Sequence, residues 1–196
     1  HRHIDTLSRV LVKDHEPKPR LIHRLDKDTS GVMLLAKSAD AARRFGRKFK
    51  TGLVQKKYWA VVVGVPTLGR GVIENEVEKK GGIRGDRVIV VRGQGQRART
   101  RYQMLDRSGS VAAFLALYPE TGRTHQLRVH CLGLGTPILG DGKYGGKNAF
   151  LEKSFIKDFG NLDKITVDEI IQIYNYHFYI KYKKIFIPHF LSKKRN

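Results

Sequence analysis

The pattern of apolar and polar positions in residues 38–52 predicts an amphipathic helix. Ser38 is a suitable N-cap for the segment "ADAARRFGRKFK", and Gly52 is a suitable residue to end it. At helical spacing the apolar side chains share one face and basic side chains share another. The apolar face holds Ala41, Ala42, Phe45 and Phe49, and the basic face holds Arg43, Arg47 and Lys50. A shorter helix, ended by glycines, is predicted in "THQLRVHCLGLG" (124–135).

Apolar or alternating runs predict strands along the rest of the chain. "GVMLLAK" (31–37) and "KKYWAVVVGVP" (56–66) are apolar runs bounded by Gly, Lys or Pro. "GVIENEV" and "DRVIVVRG" alternate around a turn at 79–85, and "ARTRYQML" and "VAAFLALYP" predict an antiparallel pair across "DRSGS". Residues 167–188 predict one or two closing strands. Because no βαβ rhythm is present, the expected fold class is α+β with a mostly antiparallel sheet and a few flanking helices.

Composition points to a polyanionic partner. The 196 residues include 38 Lys and Arg against 18 Asp and Glu, a net charge of +20. Such a field attracts nucleic acid or an anionic membrane surface. No apolar run approaches the roughly 18 residues needed to span a bilayer, and no signal peptide is seen, so RNA or DNA is the expected partner and a membrane is not. Cys131 is the single cysteine, which excludes an internal disulfide framework, and the scattered histidines predict no metal site.

The positive charge is concentrated in two segments. Between Arg43 and Lys57 there are seven basic residues and no acidic residue. Residues 84–101 contain six arginines against Asp86 alone. Solvated surfaces normally mix charges of both signs, so both segments predict contacts with the phosphates of a folded nucleic acid.

Three motifs indicate chemistry as well as binding. They are "HRLDKDTSGV" (23–32), "QKKYWA" (55–60) and "TGRTHQLRVH" (121–130), and "TPILGDGKYG" (136–145) follows them. In this order they resemble the RluA/RluC-type family of pseudouridine synthases, which isomerise uridine in ribosomal and transfer RNA. The resemblance covers roughly residues 20–146 and implies the α+β fold of the pseudouridine synthase catalytic domain.

The resemblance also implies roles for individual residues. Asp26 would be the catalytic carboxylate, Tyr58 would lie against the target base, and Arg128 would pair with Asp26. Arg24 would hold the gap that the flipped uridine leaves in the RNA. Apart from the resemblance, Arg123 and Arg128 are five residues apart and need not share a helical face, so Arg123 is expected in the turn before the second helix. Further side chains of the motifs are expected to shape the cleft and contact RNA: His23, Arg123, His125 and Gln126.

The residues themselves admit structural interpretations of the same positions. Asp28, followed by Thr-Ser-Gly, suits a turn better than catalysis. Tyr58 and Trp59 are neighbours in a predicted strand, so one ring belongs to the core and the other faces a cleft. His125 and His130 are more typical of structural histidines than of acid–base groups.

The reaction that the resemblance implies needs an ionised carboxylate and no cofactor. Pseudouridine formation breaks the C1′–N1 bond, turns the uracil and joins C5 to C1′, which is an isomerisation. The carboxylate beside the sugar acts either as a nucleophile at C1′ or as a base at C2′, and the sequence leaves both routes open. A neighbouring arginine would favour its charged form.

The sequence departs from the family in two places. The usual opening strand, similar to Asn-Lys-Pro-x-Gly, and the S4 domain that often precedes it are not found, so we expect one catalytic domain over 1–196 without that strand. The late Leu-His-Ala triplet is replaced by Ile173, Tyr174 and Asn175. These departures keep a second interpretation open: a catalytically weak RNA-binding or ribosome-assembly factor on the same fold. In either case we expect a monomer, located in the cytoplasm or, in a eukaryote, in mitochondria.

Overall fold

The computed structural model of the chain describes residues 12–13, 17–26, 29–81 and 87–151. The chain divides into two compact units, His1–Ala149 and Phe150–Asn196, and the first unit holds all the helices and strands that are described. The closing strands predicted in 167–188, the late triplet at 173–175 and Asp28 lie outside the described residues. The single-domain organisation therefore stays a prediction.

A five-stranded antiparallel sheet forms the centre of the first unit, with the strand order β3-β7-β6-β4-β5. Its strands are β3 (Tyr58–Val63), β4 (Arg70–Lys80), β5 (Arg87–Val91), β6 (Gln96–Ser108) and β7 (Ala112–Pro119). Both predicted antiparallel pairs are confirmed, β4 with β5 and β6 with β7. Strand β6 continues further than predicted, through a register shift between Met104 and Asp106, so the connection to β7 is shorter than "DRSGS".

A separate two-stranded ribbon precedes this sheet. Strand β1 (Arg20–Leu21) pairs with β2 (Leu35–Ala36) in antiparallel orientation. The strand predicted over 31–37 is therefore wrong in its length. The described part of β1 offers only two residues for pairing, and the chain before β2 runs instead as a loop.

Helix α1 (Ala39–Lys50) has the boundaries that the sequence predicts. The Ser38 side chain accepts a hydrogen bond from the Ala41 N–H at 3.1 Å, as an N-cap does. After the helix, Gly52 adopts a φ of +73°, which a residue without a Cβ enters without strain. Local capping chemistry therefore sets both ends of this helix.

The core lies between the sheet and helix α2 (Gln126–Gly133). Its largest cluster of buried residues consists of Val62, Tyr102, Ala113, Leu115, Leu117 and Cys131. Cys131 is fully buried as predicted, and burial raises the pKa of its thiol to about 12. An antiparallel bridge between Val62 and Ile138 ties the chain after α2 to strand β3. This bridge anchors the "GDGKYG" segment beside the start of the sheet.

Candidate active site

The loop between β1 and β2 carries three of the predicted site residues. The Leu34 N–H donates to His23 Nε2 at 2.9 Å, and the His23 ring stacks on Phe49 of α1 with 4.8 Å between centroids. Burial lowers the pKa of His23, and the positive charge of Lys56 lowers it further, against a backbone hydrogen bond at Arg24 that raises it. A neutral imidazole can accept the Leu34 hydrogen bond. His23 thus holds the loop against the helix, and its contact with RNA stays a prediction.

Asp26 lies half-buried in the same loop, where its carbonyl accepts a hydrogen bond from the Thr29 N–H at 3.0 Å. Its negative charge acts on three side chains from other parts of the chain: Tyr58, His125 and Arg128. Such interactions require that the groups lie near one another. The three motifs of the sequence therefore meet around one carboxylate.

Tyr58 opens strand β3 opposite Leu117 and packs against the main core cluster. Burial raises the pKa of the Tyr58 phenol, and the negative charge of Asp26 raises it further. Trp59 is exposed, with the Lys57 ammonium 5.2 Å from its ring centroid. The prediction that one of the two rings belongs to the core is confirmed for Tyr58; that the other ring faces a cleft stays a prediction.

Arg128 on α2 is paired with Asp141 and not with Asp26. Its Nε and Nη2 donate to the two carboxylate oxygens of Asp141 at 2.8 and 2.5 Å. The predicted ion pair between Arg128 and Asp26 is therefore wrong in this structure, because the planar fork of the guanidinium is already matched by another carboxylate. Asp26 still contributes to the raised pKa of Arg128, although the hydrogen bond to Asp141 is the larger cause.

His125 lies immediately before α2 in a left-handed conformation, with φ of 51°. Such a conformation is uncommon for a residue with a Cβ and costs about 1–3 kcal/mol. A hydrogen bond of 2.7 Å between its Nδ1 and the Tyr144 hydroxyl helps to hold it. Burial lowers the pKa of His125, which outweighs the opposing effect of Asp26. The imidazole is therefore neutral at neutral pH, and it lies at the edge of the group of side chains around Asp26.

Gln126 is buried and fully hydrogen-bonded, so the predicted contact with RNA is wrong for this residue. Its Oε1 accepts from the Thr121 hydroxyl and the Arg123 N–H, and its Nε2 donates to the Arg99 carbonyl and the Thr100 hydroxyl. With 4% of its surface exposed, it braces the turn before α2. Arg123 lies in that turn as predicted and remains exposed.

His130 is a structural histidine, as the sequence analysis indicated. It is fully buried, with Nδ1 2.8 Å from the Thr100 hydroxyl and Nε2 3.2 Å from Asn75 Oδ1. Burial lowers its pKa to about 4. It takes no part in the cluster around Asp26.

Three site residues were missed by the sequence analysis: Lys56, Asp141 and Tyr144. Lys56 is half-buried, which lowers its pKa, and its Nζ lies 3.4 Å from the Thr121 carbonyl. Asp141 and Tyr144 belong to "TPILGDGKYG", a stretch that carried the resemblance but from which no residue was assigned. The charged and aromatic residues between the glycines of this stretch could have indicated that it belongs to the site.

The two basic segments differ in the structure. Arg43, Arg47 and Lys50 are exposed on α1, as predicted. In the second segment, three arginines of β6 form an ion-pair ladder with glutamates of neighbouring segments, in the order Arg97–Glu74–Arg99–Glu120–Arg101. Asp86 is the only acidic residue within 84–101, and the sheet adds Glu74 and Glu120 beside these three arginines. Glutamates distant in sequence neutralise much of their charge. The predicted contact of this segment with phosphates stays a prediction.

Two kinds of feature are not found in the part of the chain that the structure describes. No helix there has the length and apolar character to cross a membrane. No group of three or more His, Cys, Asp or Glu side chains is placed there to hold a metal ion.

Comparisons with known proteins show the family of the chain. The family described as RNA pseudouridylate synthase matches residues 2–132. The chain belongs to this family.

Individual relatives are between a third and a half identical to this chain over the residues that align. An uncharacterized RNA pseudouridine synthase of Zymomonas mobilis is 44% identical over 128 residues, covering 65% of this chain and 58% of that protein. The ribosomal large subunit pseudouridine synthase D of Borreliella burgdorferi is 39% identical over 151 residues, covering 77% and 45%. The solved structure of human RNA pseudouridylate synthase domain containing 4 is 37% identical with a TM-score of 0.65, covering 80% of this chain and 64% of that one. The chain thus spans about half the length of the curated relatives it matches.

Proposed function

We propose that this chain carries the catalytic domain of an RNA pseudouridine synthase, which isomerises uridine to pseudouridine in large-subunit ribosomal RNA. The observation that carries the proposal is the cluster of Asp26, Tyr58 and Arg128, which come from three separate segments of the chain. The name of the Borreliella burgdorferi relative supports ribosomal RNA as the substrate. We further propose that the enzyme acts as a monomer in the cytoplasm.

In the proposed reaction, Asp26 acts on the ribose of the target uridine. Its carboxylate either attacks C1′ as the C1′–N1 bond breaks, or removes a proton from C2′ and later returns it. In the first route the bond from the Asp26 oxygen to C1′ breaks as C5 of the turned uracil bonds to C1′; in the second, C5 bonds to C1′ as the proton returns to C2′. In both routes the C5 proton leaves to water and N1 gains a proton. Bonds and protons balance without a change in oxidation state, so the proposal includes no cofactor.

Tyr58 is proposed to stack on the base that leaves the RNA, and Arg24 is proposed to fill the gap that the base leaves. Extruding a base costs a few kcal/mol, and stacking on an aromatic ring recovers about 1–3 kcal/mol. Tyr58 offers such a ring beside Asp26, and its raised pKa keeps the phenol neutral at neutral pH. Arg24 is exposed two residues before Asp26 and would fill the gap in the RNA.

Helix α1 is proposed to bind the RNA backbone next to this cluster. His23 packs on Phe49, so the loop that carries Asp26 rests on the helix that carries Arg43, Arg47 and Lys50. Phosphate contacts position a nucleic acid without reading its sequence. This surface would therefore bring many RNAs to the site.

Carbodiimide primer-extension mapping tests the proposal. Unmodified bacterial large-subunit RNA made by transcription is incubated with the folded chain, and reverse-transcription stops are compared with untreated RNA. We expect new stops at one or a few uridines. RNA that binds without any new stop would contradict the proposal and favour the alternative, a catalytically weak RNA-binding or ribosome-assembly factor.

A further inference from the structure

Asp141 is hydrogen-bonded both to Arg128 and to the backbone of its own loop. Its carboxylate accepts two hydrogen bonds from Arg128, at 2.8 and 2.5 Å, and a third from the Tyr144 N–H at 3.2 Å. The side chain of Asp141 is 6% exposed and that of Arg128 is 19% exposed. Paired, charge-assisted hydrogen bonds of this kind fix the orientation as well as the position of a guanidinium.

Tyr144 restrains the same guanidinium from a second direction. The Arg128 guanidinium carbon lies 4.8 Å from the centroid of the Tyr144 ring, within the range of a cation–π contact. The Tyr144 hydroxyl in turn accepts a hydrogen bond from the Val88 N–H at 3.0 Å and contacts His125 Nδ1. The ring that supports Arg128 is therefore itself tied to the sheet and to the start of α2.

The loop that carries Asp141 has little freedom to move. The Leu139 N–H donates to the Val61 carbonyl of β3 at 2.9 Å, which holds the loop to the strand that begins with Tyr58. A Cβ added at Gly145 would lie 2.6 Å from Pro137 Cβ and 2.8 Å from Ala149 Cβ, so the backbone is packed closely there. Asp141 is thus attached to a rigid part of the fold.

One edge of Arg128 is left for other contacts. Its bonds to Asp141 use Nε and Nη2, while Nη1 has no hydrogen-bond partner among the described residues. Asp26 lies near enough for its charge to act on Arg128, yet no ion pair joins the two. A positive group therefore stands beside Asp26 without occupying its carboxylate.

We propose that Asp141 is a positioning residue for the reaction: it holds Arg128 beside Asp26 and leaves Nη1 free for a further contact. The inference rests on the proposed function. Without Asp141, Arg128 would be free to turn away, and Asp26 would lose the fixed positive charge that favours its ionised form. The cost would appear in turnover more than in RNA binding.

Turnover by variants of Asp141 and Arg128 tests this role. The readouts are tritium release from bacterial large-subunit RNA transcribed with [5-³H]uridine, and filter binding of the same RNA. Misplacing a catalytic group by about 1 Å can cost about 100-fold, so we expect Asp141→Asn to lower kcat about 10- to 100-fold with little change in Kd. Asp141→Glu keeps the charge and should fall between Asn and wild type. Asp106→Asn, an exposed aspartate of β6, is the matched control and should keep wild-type kcat.

A double-variant cycle separates positioning from a general loss of structure. If Asp141 acts through Arg128, adding Asp141→Asn to Arg128→Gln should cause little further loss, whereas independent effects would multiply. Multiplied losses, or a folded Asp141→Asn with wild-type kcat, would overturn the proposal. If Asp141→Asn does not fold, the cycle is repeated with Asp141→Glu and Arg128→Gln, where multiplied losses would equally overturn the proposal.

Modification of Arg128 by phenylglyoxal, read by mass spectrometry, does not depend on activity. We expect Arg128 to be more reactive in Asp141→Asn than in wild type, and equal reactivity would contradict the restraint. A wild-type chain that binds RNA but releases no tritium would instead refute the proposed function. The two failures can therefore be told apart.

Discussion

Tyr58 serves the core and the candidate site at the same time. Its ring packs against the cluster that contains Leu115 and Leu117, while its hydroxyl end is near the charge of Asp26. We predict that Tyr58→Phe keeps more RNA affinity than Tyr58→Ala, since the ring supplies stacking worth about 1–3 kcal/mol. If the hydroxyl assists removal of the C5 proton, the Phe variant will bind RNA but turn over poorly.

Filter binding and tritium release measure both properties of the Tyr58 variants. The Ala variant also leaves a cavity, so affinities are compared at equal folded fraction, set by thermal melting. Equal affinities of the two folded variants would show that the ring does not contact the base.

The burial of His130 leads to a prediction about how stability, rather than activity, depends on pH. Its pKa is lowered from 6.5 to about 4 in the folded chain because it is buried. Below pH 6.5 the unfolded chain binds a proton that the folded chain excludes, so stability falls as the pH drops from 6.5 towards 4. At a pH below both pKa values, this effect lowers the free energy of unfolding by about 3 kcal/mol relative to neutral pH. Urea unfolding from pH 7 to pH 4.5 should show a smaller pH dependence in His130→Gln than in wild type, and identical curves would contradict the assignment.

Among the elements, helix α1 could be predicted almost completely because its signals are local. Ser38, the spacing of Ala and Phe, and Gly52 act within a few residues of where they stand. The ladder through Arg97 and Arg99 could not be predicted, since its glutamates meet β6 only through the pairing of β4 and β6 and the turn after β7. A count of charges along the chain does not include the acidic partners that strand pairing brings beside these arginines.

The exposed face of α1 carries the next prediction. Changing Arg43, Arg47 and Lys50 to Gln in one variant removes three positive charges. The magnitude of the slope of log K against log[salt] should therefore fall by about 2 to 3. Affinity for all RNAs should fall alike, because phosphate contacts do not read sequence.

A variant with the same loss of charge controls for net charge in the α1 test. Arg70 and Lys80 of β4 and Arg107 of β6 are exposed basic residues outside both basic segments, and changing them to Gln should alter the slope less. Salt titrations of both variants by filter binding give the comparison. Equal changes would mean that net charge, and not this helix, determines binding.

At the scale of the whole molecule, the site depends on how distant segments are brought together. The bridge between Val62 and Ile138 places the loop of Asp141 beside β3, while the ribbon of β1 and β2 presents Asp26. The order of the motifs predicted which segments take part. The order of the motifs could not predict that Arg128 pairs with Asp141. Both Asp26 and Asp141 were possible partners in the sequence, and only the folded structure shows which of them forms the ion pair.

The whole-molecule charge of +20 is likewise distributed by the fold. The ladder on β6 balances three arginines with two glutamates, so α1 is left with the less opposed positive surface. This surface is on the helix that contacts the Asp26 loop through His23 and Phe49. The proposed RNA-binding surface and the proposed chemistry are therefore on adjoining elements.

Tritium release from [5-³H]uridine RNA by Asp26→Asn and Asp28→Asn tests the central claim most directly. Both variants lose one negative charge within three residues of sequence, so net charge and local composition change identically. At equal folded fraction and with RNA binding verified, we predict that Asp26→Asn releases no tritium, because Asn lacks the charge and basicity that either route requires. Asp28→Asn should keep most of its turnover, since Asn suits a turn about as well as Asp. Turnover by Asp26→Asn, or its loss in a folded, RNA-binding Asp28→Asn, would contradict the assignment of Asp26 as the catalytic carboxylate.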